Sequence, residues 1–496
     1  MTPEPEHRRP TDIHGTDPER TRDKVLVLAA LVFLAFAAYG SAVPHYHFFA
    51  DDLVLANGFT DKTAAFHWSQ QGAWRMLGNA TMELALACAP RAYLALTVAV
   101  HGCNAFLVWL LLRRLGVCKR TSVLIGGLLA VFPGFHEAVV WISASHNVWS
   151  TTFFLLTFLA CLSASAPGRP AVGMILLAGA GAMTGDFFHD QYALAYFTLP
   201  VAAVWLQSGR WPLSLERRRL AALAAPGLGS GLYILAYLLT LKTTTTKFPA
   251  FNWHSLFSSI VYQYANFAAF DVWQHAVWVH ALVNRLASPA GAGLLVLLAA
   301  GSVATAWAAT RKTGVGSLPA AGLPPATLAA WAALLLGLAA IYVVAGGYSL
   351  DSRKRYAFVF LGALALGHLG RSRPSRRWIG PAALAAIVVC TLTTIALTET
   401  RTGMLVAMEQ IDTAIAAGRV PAGTYIVDWD SGPLRFGPYL WTDPREQIWN
   451  QLPAAGGPPP VVPDPRNARQ LARNDWERRV WWMIPLRPES QRPHQL

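Results

Sequence analysis

The chain has 496 residues, 54% of them hydrophobic and only 14% charged, against roughly 25% charged in an ordinary soluble domain. That balance excludes a soluble globular protein and points to a polytopic membrane protein. The net charge of +13 does not indicate nucleic acid, because the basic residues are scattered between apolar segments and never gather into one basic face. Five cysteines, Cys88, Cys103, Cys118, Cys161 and Cys390, lie in or beside apolar runs without paired or metal-ligand spacing. They read as small core residues.

With about 20 apolar residues as the length needed to cross a bilayer, about eleven helices are expected after a polar tail at 1–24. They start near Val25, Tyr93, Ser122, Asn147, Ala171, Gln191, Leu220, Gly291, Pro325, Tyr356 and Pro381. Gly40-Ser41-Ala42 offers a cleavage-like site, but the first apolar run is longer than a signal peptide needs and its leader is mixed in charge. A retained anchor is the better reading.

Counting Lys and Arg in the short connections puts the N-terminus in the cytoplasm. The inner loops then hold Arg113, Arg114, Lys119 and Arg120; Arg169; Arg210 and Arg217 to Arg219; Arg311 and Lys312; and Arg371, Arg373, Arg376 and Arg377. One outer loop breaks the pattern: GGYSLDSRKRYAF places Arg353, Lys354 and Arg355 on the far side.

Two outer loops are long, at 44–92 and 241–290. The second is rich in Trp, Tyr, Phe and His and reads as helices lying in the interface plane. Residues 25–398 thus form a transmembrane domain, and 399–496 a small, polar outer domain with a helix-like stretch and a strand-like TYIVDW. An outer domain under about 100 residues is expected to lean on the membrane part. No long internal repeat marks a transporter built from two related halves.

Ionisable groups at the ends of membrane helices are costly and tend to mark function. Asp51 and Asp52 follow the first span. His136, Glu137 and His146 lie in FPGFHEAVVWISASHN after a Pro-Gly break, and Asp186, His189 and Asp190 lie in GDFFHDQYAL between spans five and six. Arg353, Lys354 and Arg355 precede span ten. Each group alone has a structural reading: a helix cap for the Asp pair, an interface pair, a hydrogen-bonded connector, or a lipid-headgroup contact for the cations. Their joint delivery to one face favours a single site.

The stretches FFADDLVLAN, WRMLGNATMELAL, AYLALTVAVHGCNAFLVWLLLRRLGV and VFPGFHEAVVWISASHNVWSTTFFLL together resemble the N-terminal half of the GT-C class of polytopic glycosyltransferases. The resemblance is closest to the bacterial relatives of the transmembrane and tetratricopeptide-repeat O-mannosyltransferases. Order and spacing match over roughly residues 45 to 160. The double acid is Asp51-Asp52, the His and Asn of helix two are His101 and Asn104, and the Pro, Glu and Trp-Ile after helix three are Pro133, Glu137, Trp141 and Ile142. A late Arg-Tyr pair is matched by Arg355-Tyr356. The chain departs from the pattern at His189-Asp190, where a Lys-Glu pair is usual, and at Ser145 and Asn147, where Arg and Asp are usual. No tetratricopeptide repeats follow.

The resemblance implies a GT-C fold for the all-α membrane part, with its about eleven transmembrane helices and outer interfacial helices, while the small α/β-like outer domain read from residues 399–496 lies outside the resemblance. It implies sugar transfer on the outer face, from a polyprenyl-phosphate sugar to a hydroxyl of a glycan, lipid or protein, with inversion. Asp51, the first position of the pair, is then the expected general base. Arg353, Lys354, Arg355 and Tyr356 become the donor-phosphate contacts. Asp52, Glu137 and Asp190 orient the acceptor or hold a metal if one is used, and His101, Asn104, His136, His146, Asp186 and His189 shape the site.

No cofactor is implied, and the carboxylates and histidines lack metal-ligand spacing on any one helix. Abundant Ala, Gly, Pro and Arg point to a bacterial plasma membrane. The alternatives are a transporter, which predicts ionisable groups near the bilayer midplane and spans broken in the middle, and a non-catalytic protein that binds lipid-linked sugar.

Overall fold

The computed structural model describes residues 21–46, 76–165, 172–208, 217–241, 325–344, 355–370, 382–399, 425–429 and 481–485, with Val283 and Gly293. Asp51, Asp52, Arg353, Lys354, the side chain of Arg355, the aromatic outer segment and the span expected from Gly291 lie outside these residues, as does most of 399–496.

The described residues are helical apart from two short strands. In chain order the helices are α1 (Thr21–Tyr39), α2 (Met76–Cys88), α3 (Pro90–Arg114), α4 (Lys119–Ala130), α5 (His136–Val140), α6 (His146–Ser165), α7 (Val172–Phe188) and α8 (Ala195–Ser208). They continue with α9 (Arg217–Leu241), α10 (Pro325–Val344), α11 (Arg355–Leu369) and α12 (Ala382–Glu399). Single 3-10 turns at Pro133–Phe135, Ile142–Ala144 and Asp190–Tyr192 join some of them. Strands β1 (Tyr425–Trp429) and β2 (Trp481–Pro485) pair antiparallel, Val427 opposite Met483, and β1 falls on the strand-like TYIVDW.

Among the described residues four helical segments, Thr21–Ala42, Pro90–Arg114, Ile142–Ser165 and Ala382–Glu399, are long and apolar enough to cross a membrane. A fifth is counted if α4 and the bent segment after it form one span. α7 to α11 contain shorter apolar stretches. The molecule is therefore a multi-helix membrane protein, and helices stand near each expected start that falls in the described stretches.

α3 is the axis. Pro90 opens it at a position where its missing N–H costs nothing, and Arg113 and Arg114 in its last turn suit the negative end of the helix dipole. Gly116 closes it at φ 80°. Its N–H donates to Arg113 O and that of Val117 to Leu112 O, a paired closure that needs the left-handed conformation glycine adopts freely. The tight turn sends the chain back as α4, which packs along α3. At the same end Lys119 Nζ lies 2.6 Å from Asp23 Oδ2 and links α4 to α1.

α4 is short. Its 12 residues rise about 18 Å, while the 25 residues of α3 rise about 37 Å. Pro133 ends it, since a residue before proline is pushed out of the helical region, and Phe132 is accordingly extended at φ −69°, ψ 121°. The helices on either side of this break meet at a 47° bend. Irregular backbone at membrane depth survives only where protein covers it, and Val131, Phe135 and His136 to Ile142 are all 5% exposed or less.

Three successive carbonyls freed by the break each receive a donor from a different helix. His101 Nε2 of α3 faces Ala130 O at 3.3 Å, Thr394 Oγ1 of α12 donates to Val131 O at 2.7 Å, and Tyr39 OH of α1 donates to Phe132 O at 2.6 Å. Around this knot, α1, α3 and α4 form one group, and α6 to α10 form another. α3 packs on α6, and α11 touches α3, α4, α6 and α10. α2 lies across the ends of α3 and α7; Gly78 sits so close to Phe188 that an added Cβ would stand 2.6 Å from its carbonyl oxygen.

α1 and α3 cross at Gly102, where an added Cβ would meet Val32 Cα at 2.6 Å. We expect Gly102→Ala to lower stability in detergent by about 1–3 kcal/mol through overpacking against backbone. Gly173→Ala, which meets nothing within 4 Å, should leave the melting temperature unchanged or slightly raised. A thermal melt of the two variants checks the pair, and equal effects would contradict the close crossing.

Candidate functional site

Some of the described residues singled out in the sequence, His101, Asn104, Tyr356, His146, His189 and Asp190, lie around the first turn of α6. That turn follows directly from the break: α5 and the turn Ile142–Ala144 bring the chain back, and α6 starts at His146. Two polar groups attach to it from opposite sides.

The first joins α3, α6 and α11. Tyr356 OH is 2.7 Å from His101 Nδ1 and 3.2 Å from Asn104 Nδ2, and Asn104 Nδ2 donates to Val148 O at 2.9 Å. The end points set the direction of every bond, because a backbone carbonyl only accepts. His101 Nε2–H must donate to Ala130 O, so Nδ1 accepts the Tyr356 hydroxyl proton, and that hydroxyl in turn accepts from the Asn104 amide. His101 is thereby held as one neutral tautomer, and Asn104 in one amide orientation. Phe135 and Phe360 enclose the group, with Phe135 4.6 Å and Phe360 4.7 Å from the Tyr356 ring.

The second group joins α6 to the end of α7. The rings of His146 and His189 lie 4.5 Å apart, and His189 Nδ1 is 3.2 Å from Asp190 Oδ1. The same Nδ1 accepts the Gln191 backbone N–H at 3.1 Å, and the Gln191 side chain donates to Ser150 Oγ at 2.5 Å and Asn147 O at 3.4 Å. Tyr192 OH and Thr151 Oγ1 are 2.8 Å apart. The Asp190 side chain is 24% exposed while that of His189 is 4%, so the carboxylate is the more open of the two.

The structure therefore brings His101, Asn104 and Tyr356 together, and His146, His189 and Asp190 together, with α6 between. His136 and Glu137, 4% and 5% exposed, sit on α5 in the bent segment, which packs on α3 and α6. Asp186 is fully buried one turn before His189, and its Oδ2 is 2.6 Å from Ser230 Oγ of α9. At the positions where the glycosyltransferase pattern has Arg and Asp, Ser145 Oγ is 3.1 Å from Tyr93 OH and Asn147 Nδ2 donates to Ala144 O at 2.9 Å. Arg355, the last residue of the cationic run, is the first residue of α11 and directly precedes Tyr356.

Sequence reasoning passed over several members of this layer. Tyr39, Thr394 and Ser230 are single polar residues in apolar helices, and only their rarity there marks them. Glu83 on α2 is another, 8% exposed, its carboxyl pushed above 4.5 by burial. Trp149 stacks on Phe188 at 5.8 Å and lies 6.4 Å from Tyr93, forming an aromatic wall beneath α2. Among the described residues no three metal-ligating side chains converge. No known protein-family model matches the chain, and no curated protein sequence matches it.

Tyr356→Phe removes the one hydroxyl shared by His101 and Asn104. We expect it to cost about 1–3 kcal/mol, the penalty of leaving buried polar groups unsatisfied, read as a lower melting temperature. Phe360→Leu, which loses ring contact alone, should be milder. The Glu83 carboxyl gives a separate expectation. With its folded-state pKa above the unfolded value, the unfolded chain binds fewer protons from 4.5 upward, so stability falls as pH rises through that range. Glu83→Gln should flatten this part of the melting-temperature profile, and an unchanged slope would show that Glu83 does not cause it.

Proposed function

We propose that this protein is an inverting glycosyltransferase of the GT-C type, moving a sugar from a polyprenyl-phosphate donor to the hydroxyl of a glycan, lipid or protein on the outer face of a bacterial plasma membrane. One observation carries the reading. Tyr356, which directly follows the cations 353–355, is tied to His101 and Asn104, 255 and 252 residues earlier in the chain. That tie holds the start of α11 against the same α3–α6 junction that bears His136, Glu137 and His146. The helix that begins at Arg355 and a group of acids and histidines thus share one scaffold, which supports the reading.

The chemistry suits those residue types. The acceptor oxygen attacks the anomeric carbon as the bond from that carbon to the phosphate oxygen breaks, and the acceptor proton passes to a carboxylate, for which Asp51 is the candidate. Polyprenyl phosphate leaves as an anion, so the site needs positive charge more than a second acid. Arg353, Lys354 and Arg355 supply it, with the planar guanidinium groups matched to phosphate oxygens. Asp52, Glu137 and Asp190 orient the acceptor in this reading.

A second reading has an observation of its own. His101 lies 11 residues into α3, about 16 Å from its start, and α4 stops beside it. A polar layer half-way along a span next to a broken helix is what a transporter would show. In that case the acids would line a path for a cation or proton, and solute uptake by vesicles carrying the protein would depend on them.

Purified protein offered a panel of polyprenyl-phosphate sugars and acceptor glycans separates the readings. The enzyme reading expects transfer that Asp51→Asn lowers by about 10²–10⁴-fold, the usual contribution of a general base. Equal transfer by wild type and variant would sink the base assignment. Binding of polyprenyl phosphate should weaken by about tenfold or more in Arg353→Ala and Arg355→Ala, as loss of a charge-assisted hydrogen bond implies; unchanged binding removes the phosphate role.

A further inference from the structure

Asp186 lies in the last turn of α7 and belongs to neither polar group at the α6 junction. It is 0% exposed, as is Ser230. Ser230 Oγ is 2.6 Å from Asp186 Oδ2 and 2.9 Å from Ala193 O. Both neighbours can be satisfied in only one way. A serine hydroxyl has one proton and a backbone carbonyl only accepts, so the Ser230 proton belongs on Ala193 O. The short contact to Asp186 is then a hydrogen bond only if the carboxyl brings a proton of its own.

The surroundings agree. Asp186 Oδ1 has no hydrogen-bond partner among the described residues, and no cationic side chain among them pairs with it. An ionised carboxylate with one bare oxygen in an apolar bundle is strongly disfavoured. Tyr196 lies alongside, since a Cβ added to Gly185 would run into its hydroxyl, and that hydroxyl is also buried without a partner among the described residues. The titratable groups coupled to Asp186 among the described residues are Asp190 and Tyr196, neither of them cationic.

We infer that Asp186 is a proton-holding site: its carboxyl stays neutral in the folded protein, donates from Oδ2 to Ser230 Oγ, and through Ser230 clamps α9 to the carbonyl of Ala193. Ala193 follows the turn Asp190–Tyr192, so the clamp fixes the loop that presents His189 and Asp190 to α6. Asp186 is a positioning residue. A carboxyl that already holds a proton cannot take one from an acceptor, which removes Asp186 from the acids able to act as base. The inference stands whether the protein transfers sugar or moves a solute.

An infrared difference spectrum of wild type minus Asp186→Asn at neutral pH, on full-length protein in detergent, tests it directly. The expected result is the carbonyl band of a protonated carboxyl, absent from the variant and shifted in Ser230→Ala because its acceptor is gone. A difference spectrum containing only carboxylate bands would overturn the inference, as would a carboxyl band unmoved by Ser230→Ala. The second arm needs no folded Asn variant. Melting adds a rescue test: the Asn amide can donate where the carboxyl did, so Asp186→Asn should melt near wild type while Asp186→Ala melts clearly lower. Equal losses in the two variants would count against the clamp.

Discussion

The bundle depends on how it deals with one break in a membrane helix. Pro133 stops α4 half-way and exposes the carbonyls of Ala130, Val131 and Phe132 to an apolar interior, where unmet polar groups are expensive. Imidazole, threonine and tyrosine groups from α3, α12 and α1 take one carbonyl each. Removing the break would straighten the chain and carry His136 and Glu137 away from α6. Keeping it without its donors would leave the carbonyls of Ala130 and Val131 bare and Phe132 O with only the Phe135 N–H. The three donors and the proline are therefore one device, and the candidate site is its by-product.

The same economy appears in how the polar layer is wired. One side of His101 serves the broken helix and the other serves Tyr356, so the repair of α4 and the seating of α11 share a single ring. α6 plays a similar double part, with Val148 O receiving α3 and Asn147 O and Ser150 receiving the loop after α7. Buried polar networks with every bond direction determined by their end groups tend to specify one arrangement.

Much of this architecture is legible in the residues. Apolar run length locates the helices, and FPGF announces the break, because proline lacks the N–H of a helix interior and pushes the residue before it out of the helical region. The cluster of His, Asp and Glu at the helix ends marks the region where the polar layer lies. What could not be read is the pairing. The spans are apolar around most of their circumference, so periodicity does not say which face meets which neighbour. Nothing in the stretch around His101 names Tyr356 as its partner, and nothing in PGLGSGLY says that Ser230 reaches Asp186. Such contacts are set by where helices cross, and the crossings turn on local close approach, as at Gly102. The extent of α4 was also hidden, since hydropathy continues past Ala130 even though the helix does not.

The last described span closes the circle on the first. Thr398 Oγ1 lies 3.1 Å from Ala38 O, and Thr394 reaches the broken end of α4. A chain inserted from its N-terminus must therefore wait for its final span before Val131 acquires its donor. Until then Val131 O stays unmet in an apolar interior, which is costly. A chain that ends before residue 394 lacks the donor to Val131 O, so the seal on the broken helix is a contact between residues 263 positions apart.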